Sequence, residues 1–217
     1  MKIIKIIALI LVLTLTASAQ DAESILNKLV TKLEKVGPHT VNLRINIDVE
    51  FLKIKERNAR LVYNGPDDID ISSDDFMLMP KNGAQMEYLG IIKNRSAAIY
   101  EGTEKDSKGN TLTKIKIIPG KNKDGVILAN MLIDEKTNRI VRMKAFTESN
   151  GSFVSEFEYG NNLYDMPSKV KLEFDMKNFQ IPAHLSGDID AVGKKNADKK
   201  ETTTGKVVIT YSGYKKK

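Results

Sequence analysis

Residues 41–51 read Val-Asn-Leu-Arg-Ile-Asn-Ile-Asp-Val-Glu-Phe. Val41, Leu43, Ile45, Ile47, Val49 and Phe51 alternate with Asn42, Arg44, Asn46, Asp48 and Glu50 without a break. Successive side chains of a strand point to opposite faces, so this stretch predicts one long strand with a dry face and a wet face. The dry face suits two different ends, an ordinary sheet core or the wall of an apolar cavity.

Downstream the chain keeps the same texture. Strands are predicted over 53–63, 67–72, 74–79, 85–93, 96–104, 111–119, 126–134, 139–147, 152–159, 168–176 and 205–214. Between them stand turn formers: Asp106 to Asn110, Lys123-Asp124-Gly125, Glu135 to Asn138, and Ser149-Asn150-Gly151. Loops this short join antiparallel neighbours, so 96–176 reads as a meander. In 168–176, Val170, Leu172, Phe174 and Met176 fall on one face, and Lys169, Lys171, Glu173 and Asp175 on the other. The polar stretch Ser186–Gly205, with its Lys-rich part at 193–200, reads as a loop. Lys215-Lys216-Lys217 reads as a frayed, solvated tail.

Upstream of the long strand the period changes. Ala22, Ile25, Leu26, Leu29, Val30, Leu33 and Val36 recur at spacings of three and four, which predicts an amphipathic helix over 21–36 ended by Gly37-Pro38. Lys28, Lys32 and Lys35 are expected on its far side, and its apolar stripe must lie on the sheet. Before it, residues 1–19 carry Lys2 and Lys5, an apolar run from Ile6 to Leu13, and Ala17-Ser18-Ala19. That is the layout of a secretory signal peptide cleaved before Gln20. The apolar run is shorter than the ~20 residues a membrane span needs. No Cys follows it, so the chain is not itself a lipoprotein. Residues 20–217 are expected to form one domain, periplasmic in a diderm bacterium.

Composition narrows the chemistry. The 217 residues contain no Cys and two His, with 41% hydrophobic and 29% charged residues. Thiol catalysis, Cys-zinc sites, iron–sulfur clusters and disulfides are excluded. No Gly-x-Ser-x-Gly elbow and no phosphate-cradling Gly-rich loop occurs. Asp67, Asp68, Asp70, Asp74 and Asp75 form an acidic cluster, but a calcium loop counted from Asp68 would have Ser73 and Met79 where Gly and Glu are required. No enzyme, no cofactor and no metal site is expected. The net charge of +6 falls to +4 with the signal, a weak bias toward anionic surfaces. Export argues against nucleic acid. Seven Met follow the signal, at 77, 79, 86, 131, 143, 166 and 176. Met fills gaps in cores and also adapts to variable apolar ligands.

The order of signal, one amphipathic helix, a long first strand and an antiparallel meander resembles the outer-membrane lipoprotein carrier superfamily, with its LolA/LolB-like fold. Leu128 to Phe146, LANMLIDEKTNRIVRMKAF, is similar to that family's central hairpin. The strand ending Phe157-Glu158-Tyr159, followed by Met166-Pro167-Ser168-Lys169-Val170, is similar to its next steps. The resemblance implies a mainly β, α+β fold: a curved, incomplete antiparallel β-barrel covered by the N-terminal helix, with an apolar cavity between them. Leu29, Leu33, Leu43, Ile45, Ile47, Phe157, Leu172 and Phe174 would line that cavity. The family's functional arginine has no match, because Arg44 lies in the wet phase of its strand. The implied function is a monomeric periplasmic carrier that shields acyl chains of lipoproteins or lipids on the way to the outer membrane. It would meet envelope membrane proteins without inserting stably in a membrane. The alternative is a sensing module that recognises a lipidated or β-rich envelope partner.

Overall fold

The alternation at 41–51 is realised as β1 (His39–Val49), in which every odd-numbered residue is buried. The computed structural model describes residues 21–49, 52–53, 56–65, 68–73, 83–120, 125–148, 151–177 and 202–217. Residues 1–19, the expected strand at 74–79, and most of the polar stretch 186–205 lie outside that set. So do Asp67, Asp74 and Asp75.

After β1 come β2 (Leu52–Lys53), β3 (Arg57–Gly65), β4 (Asp68–Ser72), β5 (Arg95–Lys105), β6 (Thr111–Pro119), β7 (Val126–Asp134), β8 (Arg139–Thr147), β9 (Ser152–Tyr159), β10 (Pro167–Lys177) and β11 (Thr202–Lys216). They form a single sheet in the order β4-β3-β1-β11-β10-β9-β8-β7-β6-β5, with β2 beside β1. Every pairing is antiparallel, and β4 and β5 are separate edges, so the sheet is open. The meander expected over 96–176 is β5 to β10. Its turns obey local chemistry. One Asp106 carboxylate oxygen accepts the backbone N–H groups of Lys108 and Asn110, both at 2.8 Å, and Gly109 takes φ +81°. In the β7–β8 turn Asp134 accepts from Lys136 N–H and from the Thr137 hydroxyl, and Asn138 takes the left-handed φ of +54°.

Helix α1, described over 21–34, buries Ala22, Ile25, Leu26, Leu29 and Leu33 on the sheet as its stripe requires. Three expectations need correction. Residues 85–93 are not a strand but belong to α2 (Gly83–Lys93). Tyr88, Leu89, Ile91 and Ile92 are buried while Gly90 and Lys93 are exposed, a helical spacing that Gly90 obscures in so short an apolar run. The strand expected over 53–63 is divided into β2 and β3. The C-terminal lysines are not a frayed tail. Lys215 and Lys216 pair with Thr40 and His39, Lys217 N–H donates to Pro38 O at 3.1 Å, and its ammonium reaches Asn64 Oδ1 at 2.7 Å.

Candidate functional site

The pairing registers lay inward side chains across the strands in rows. One row runs Ile45, Ile209, Val170, Phe157. The next runs Ile47, Val207, Leu172, Ser155, Met143, Met131. A third runs Val49, Gly205, Phe174, Phe153, Ala145, Ala129. The result is a broad apolar wall, and α1 and α2 lie over part of it.

The eight residues expected to line a cavity occupy this wall and its cover. Leu29 and Leu33 of α1 and Leu43, Ile45, Ile47 and Phe157 of the sheet are buried. Leu172 and Phe174 are half-buried. The wall is therefore unevenly covered. At the end nearest the β7–β8 turn, Tyr88 of α2 meets Phe157 edge-on, ring centres 5.4 Å apart at 81°. There a void of about 10 Å³ remains, lined by residues that include Leu29, Leu33, Tyr88, Ile140, Tyr159 and Met166. That is at most the room of one water. At the opposite end Phe153, Leu172, Phe174 and Val207 keep partial exposure. Phe174 lies against Gly205, where a methyl group would come within 2.7 Å of the ring and 2.9 Å of Val49. A depression of about 590 Å³ adjoins it, with Phe174, Gly205 and Val154 among charged side chains such as Asp48, Lys144 and Lys206. A depression of about 760 Å³ lies elsewhere, on the outward polar face of α1 from Glu23 to Lys35, and offers no apolar wall.

Polar side chains fasten α1 at both ends. Lys32, expected on the solvent side, instead turns in to Asp165 at 2.5 Å and to the carbonyls of Thr137 and Asn138 at 3.0 Å. Arg139 bonds the same carboxylate and stacks 4.8 Å from the Tyr159 ring centre. Partial burial works against ionising Asp165, but hydrogen bonds from Arg139 and Lys32 outweigh it and hold its pKa below the usual carboxylate range. At the other end Arg95 grips Glu23, Asn27 Oδ1 at 2.7 Å and Ile92 O at 2.7 Å. At the C-terminal end, Lys93 adds an ion pair to Glu34 at 2.8 Å.

A tyrosine-rich cluster closes the near end, and sequence reading missed it because its members are scattered along the chain. His39 is buried with the rings of Tyr63, Tyr164 and Tyr214 centred 5.0, 5.3 and 5.6 Å away. Its Nδ1 lies 2.9 Å from Gly37 O. Burial lowers its pKa, and that hydrogen bond offsets the effect only in part. Arg44 is exposed and paired with Glu56 at 3.6 Å, away from the wall. Among the described residues no group of His, Asp or Glu could hold a metal ion.

A LolA superfamily protein from Nitrosomonas europaea superimposes on this chain with a TM-score of 0.58 at 12% identity, over 90% of this chain and 93% of its own. The fold is LolA-like. A domain assigned to outer membrane lipoprotein sorting in Vibrio parahaemolyticus shares it with a TM-score of 0.58 at 10% identity, over 91% and 92% of the two chains. A DUF1329 family protein from Desulfovibrio piger does so with 0.60 at 8% identity, over 92% and 93%. No protein-family model and no curated protein sequence matches the chain. The likeness is thus one of LolA-like architecture, carried by the open sheet and its helical cover rather than by shared residues.

Proposed function

We propose that the protein is a periplasmic carrier that binds acyl chains of lipoproteins or lipids for transfer toward the outer membrane. The observation that carries this reading is the uneven cover of the apolar wall. Leu43, Ile45 and Ile47 are dry, and the same face continues into Leu172, Phe174, Phe153 and Val207, which are not fully covered. Burial contributes about 0.8 kcal/mol per methylene, so a chain laid along this wall would be held by contact alone. Loading needs the helices to give way at their packed end. Their polar fastenings are partly exposed ion pairs that water can replace at little cost. The apolar area uncovered by a lifted helix would be covered again by the ligand. Two of the proteins that share the fold are named for the LolA superfamily and for lipoprotein sorting, which supports the same reading. Residues 1–19 would direct export, and no described helix is long and apolar enough to cross a membrane.

A second reading, a module that recognises an envelope partner without carrying lipid, is favoured by the tight packing around Tyr88. Titration of delipidated protein with a fluorescent fatty-acyl methyl ester separates the two. The carrier binds saturably. Leu172→Trp, placed at a half-buried position, weakens binding at least tenfold while the circular dichroism and melting curve stay close to the parent's. A wild type without saturable binding leaves the module.

A further inference from the structure

Six of the seven tyrosines fall into one neighbourhood: Tyr63, Tyr164 and Tyr214 around His39, and Tyr159 and Tyr211 with them near Tyr88 of α2. Three of their hydroxyls have the same kind of partner. Tyr159 donates to Ile140 O at 2.9 Å, Tyr214 to Pro167 O at 2.9 Å and Tyr164 to Pro38 O at 3.5 Å. Tyr211 breaks the pattern. It is 4% exposed, stands opposite Leu43 on the inner face, and its hydroxyl has no hydrogen-bond partner. A buried donor left unpaired is costly and calls for an explanation.

We infer that the Tyr211 hydroxyl is the polar anchor of the acyl site, donating a hydrogen bond to the carbonyl at the root of the chain, an ester or an amide. The inference rests on the carrier reading and specifies its ligand. Two features point to a neutral acceptor. Burial keeps the Tyr211 phenol protonated far above neutral pH, so it donates and carries no charge. Among the described residues only Tyr214 acts electrostatically on the Tyr211 phenol, and no cation does, so a free carboxylate entering here would be buried without a counterion. The direction of the chain follows from the strand. Tyr211, Ile209, Val207 and Gly205 share one face of β11 and span about 20 Å, ending at Phe174 where cover is incomplete. Lifting α2 would remove Tyr88 from above this track and uncover the hydroxyl at its floor.

The test uses the delipidated full chain and Tyr211→Phe, with methyl palmitate, N-methylpalmitamide and hexadecane competing against a fluorescent alkyl probe that carries no carboxylate. The wild type should prefer the ester and the amide to the alkane by about five- to tenfold, the worth of one neutral hydrogen bond. Tyr211→Phe should erase that preference, leave alkane binding unchanged, and melt no lower than the parent, because it removes a hydroxyl with no partner. A variant that keeps the preference, or one that melts lower because the hydroxyl was satisfied, overturns the inference while leaving the carrier reading intact. A wild type that binds no probe overturns the carrier reading itself. Dipalmitoylglycerol and a diacylated cysteine peptide both carry ester carbonyls, so both should lose affinity in Tyr211→Phe, and the one that the wild type binds more tightly identifies the source as lipid or lipoprotein. If neither loses affinity, the inference fails.

Discussion

Gly205 shows how a single residue shapes the wall. It lacks a side chain where the Phe174 ring crosses from β10, and Val49 closes the other flank. Gly205→Ala should therefore destabilise the fold by about 1–3 kcal/mol through overpacking, measured by urea denaturation. Phe174→Leu should recover part of that loss in the double variant. If the two effects simply add, the ring and the glycine are not in contact. His39 carries a second consequence at this scale. Burial among Tyr63, Tyr164 and Tyr214 depresses its pKa from 6.5. Below that pH the unfolded chain takes up a proton that the folded ring refuses, so stability rises with pH across the interval. The contribution is complete above the unfolded value and is lost as pH falls from there to the folded pKa. The urea midpoint should fall as the pH is lowered through 6.5, and His39→Gln should flatten that fall. An equal drop in both proteins would place the titrating group elsewhere.

At the scale of elements, the cover matters more than its fastenings. Leu29 is 2% exposed in the middle of the α1 stripe. Leu29→Asp would bury an unpaired carboxylate or force the helix off, at a cost of several kcal/mol. A variant that melts like the parent would show that the stripe is not docked. Lys32 demonstrates why helix periodicity alone misplaces a charged residue. Its angular position is polar, yet its long stem lets the ammonium fold back onto Asp165 and two turn carbonyls. In α2 the local pattern was ambiguous. Doublets at 88–89 and 91–92 around a glycine suit a short buried strand as well as one helical turn, and only the surface available above β6 and β10 decides between them.

At the scale of the molecule, the decisive event is the insertion of β11 between β1 and β10. It joins the N-terminal strands to the meander and places Tyr211 and Ile209 in the core. Deleting residues 211–217 would remove a buried aromatic ring and the pairing of β11 with His39, Thr40, Asn42 and Leu43. The expected loss is about 3–5 kcal/mol for the ring alone, read from the urea midpoint. An unchanged midpoint would mean that this segment is indeed a tail. Because β1 and β11 lie at opposite ends of the described chain, their pairing also closes a very large loop, the kind of contact that slows folding.

The period of two in 41–51 and 168–176 and the period of three to four in 21–36 already determined the sheet, its dry side and the helix that covers it. Those features depend on neighbours a few residues apart, which a sequence displays directly. Six of the eight expected wall and cover residues are buried and two are half-buried for the same reason. What the tertiary structure alone decided was which strands adjoin, where the C-terminal lysines go, and which polar groups meet. The joining of Tyr211 to Leu43 and of Lys32 to Asp165 spans most of the chain, and no local period encodes such distances. The uneven cover of the wall is of this kind too. It follows from how α1 and α2 share one face of the sheet, a matter of packing in three dimensions rather than of spacing along the chain.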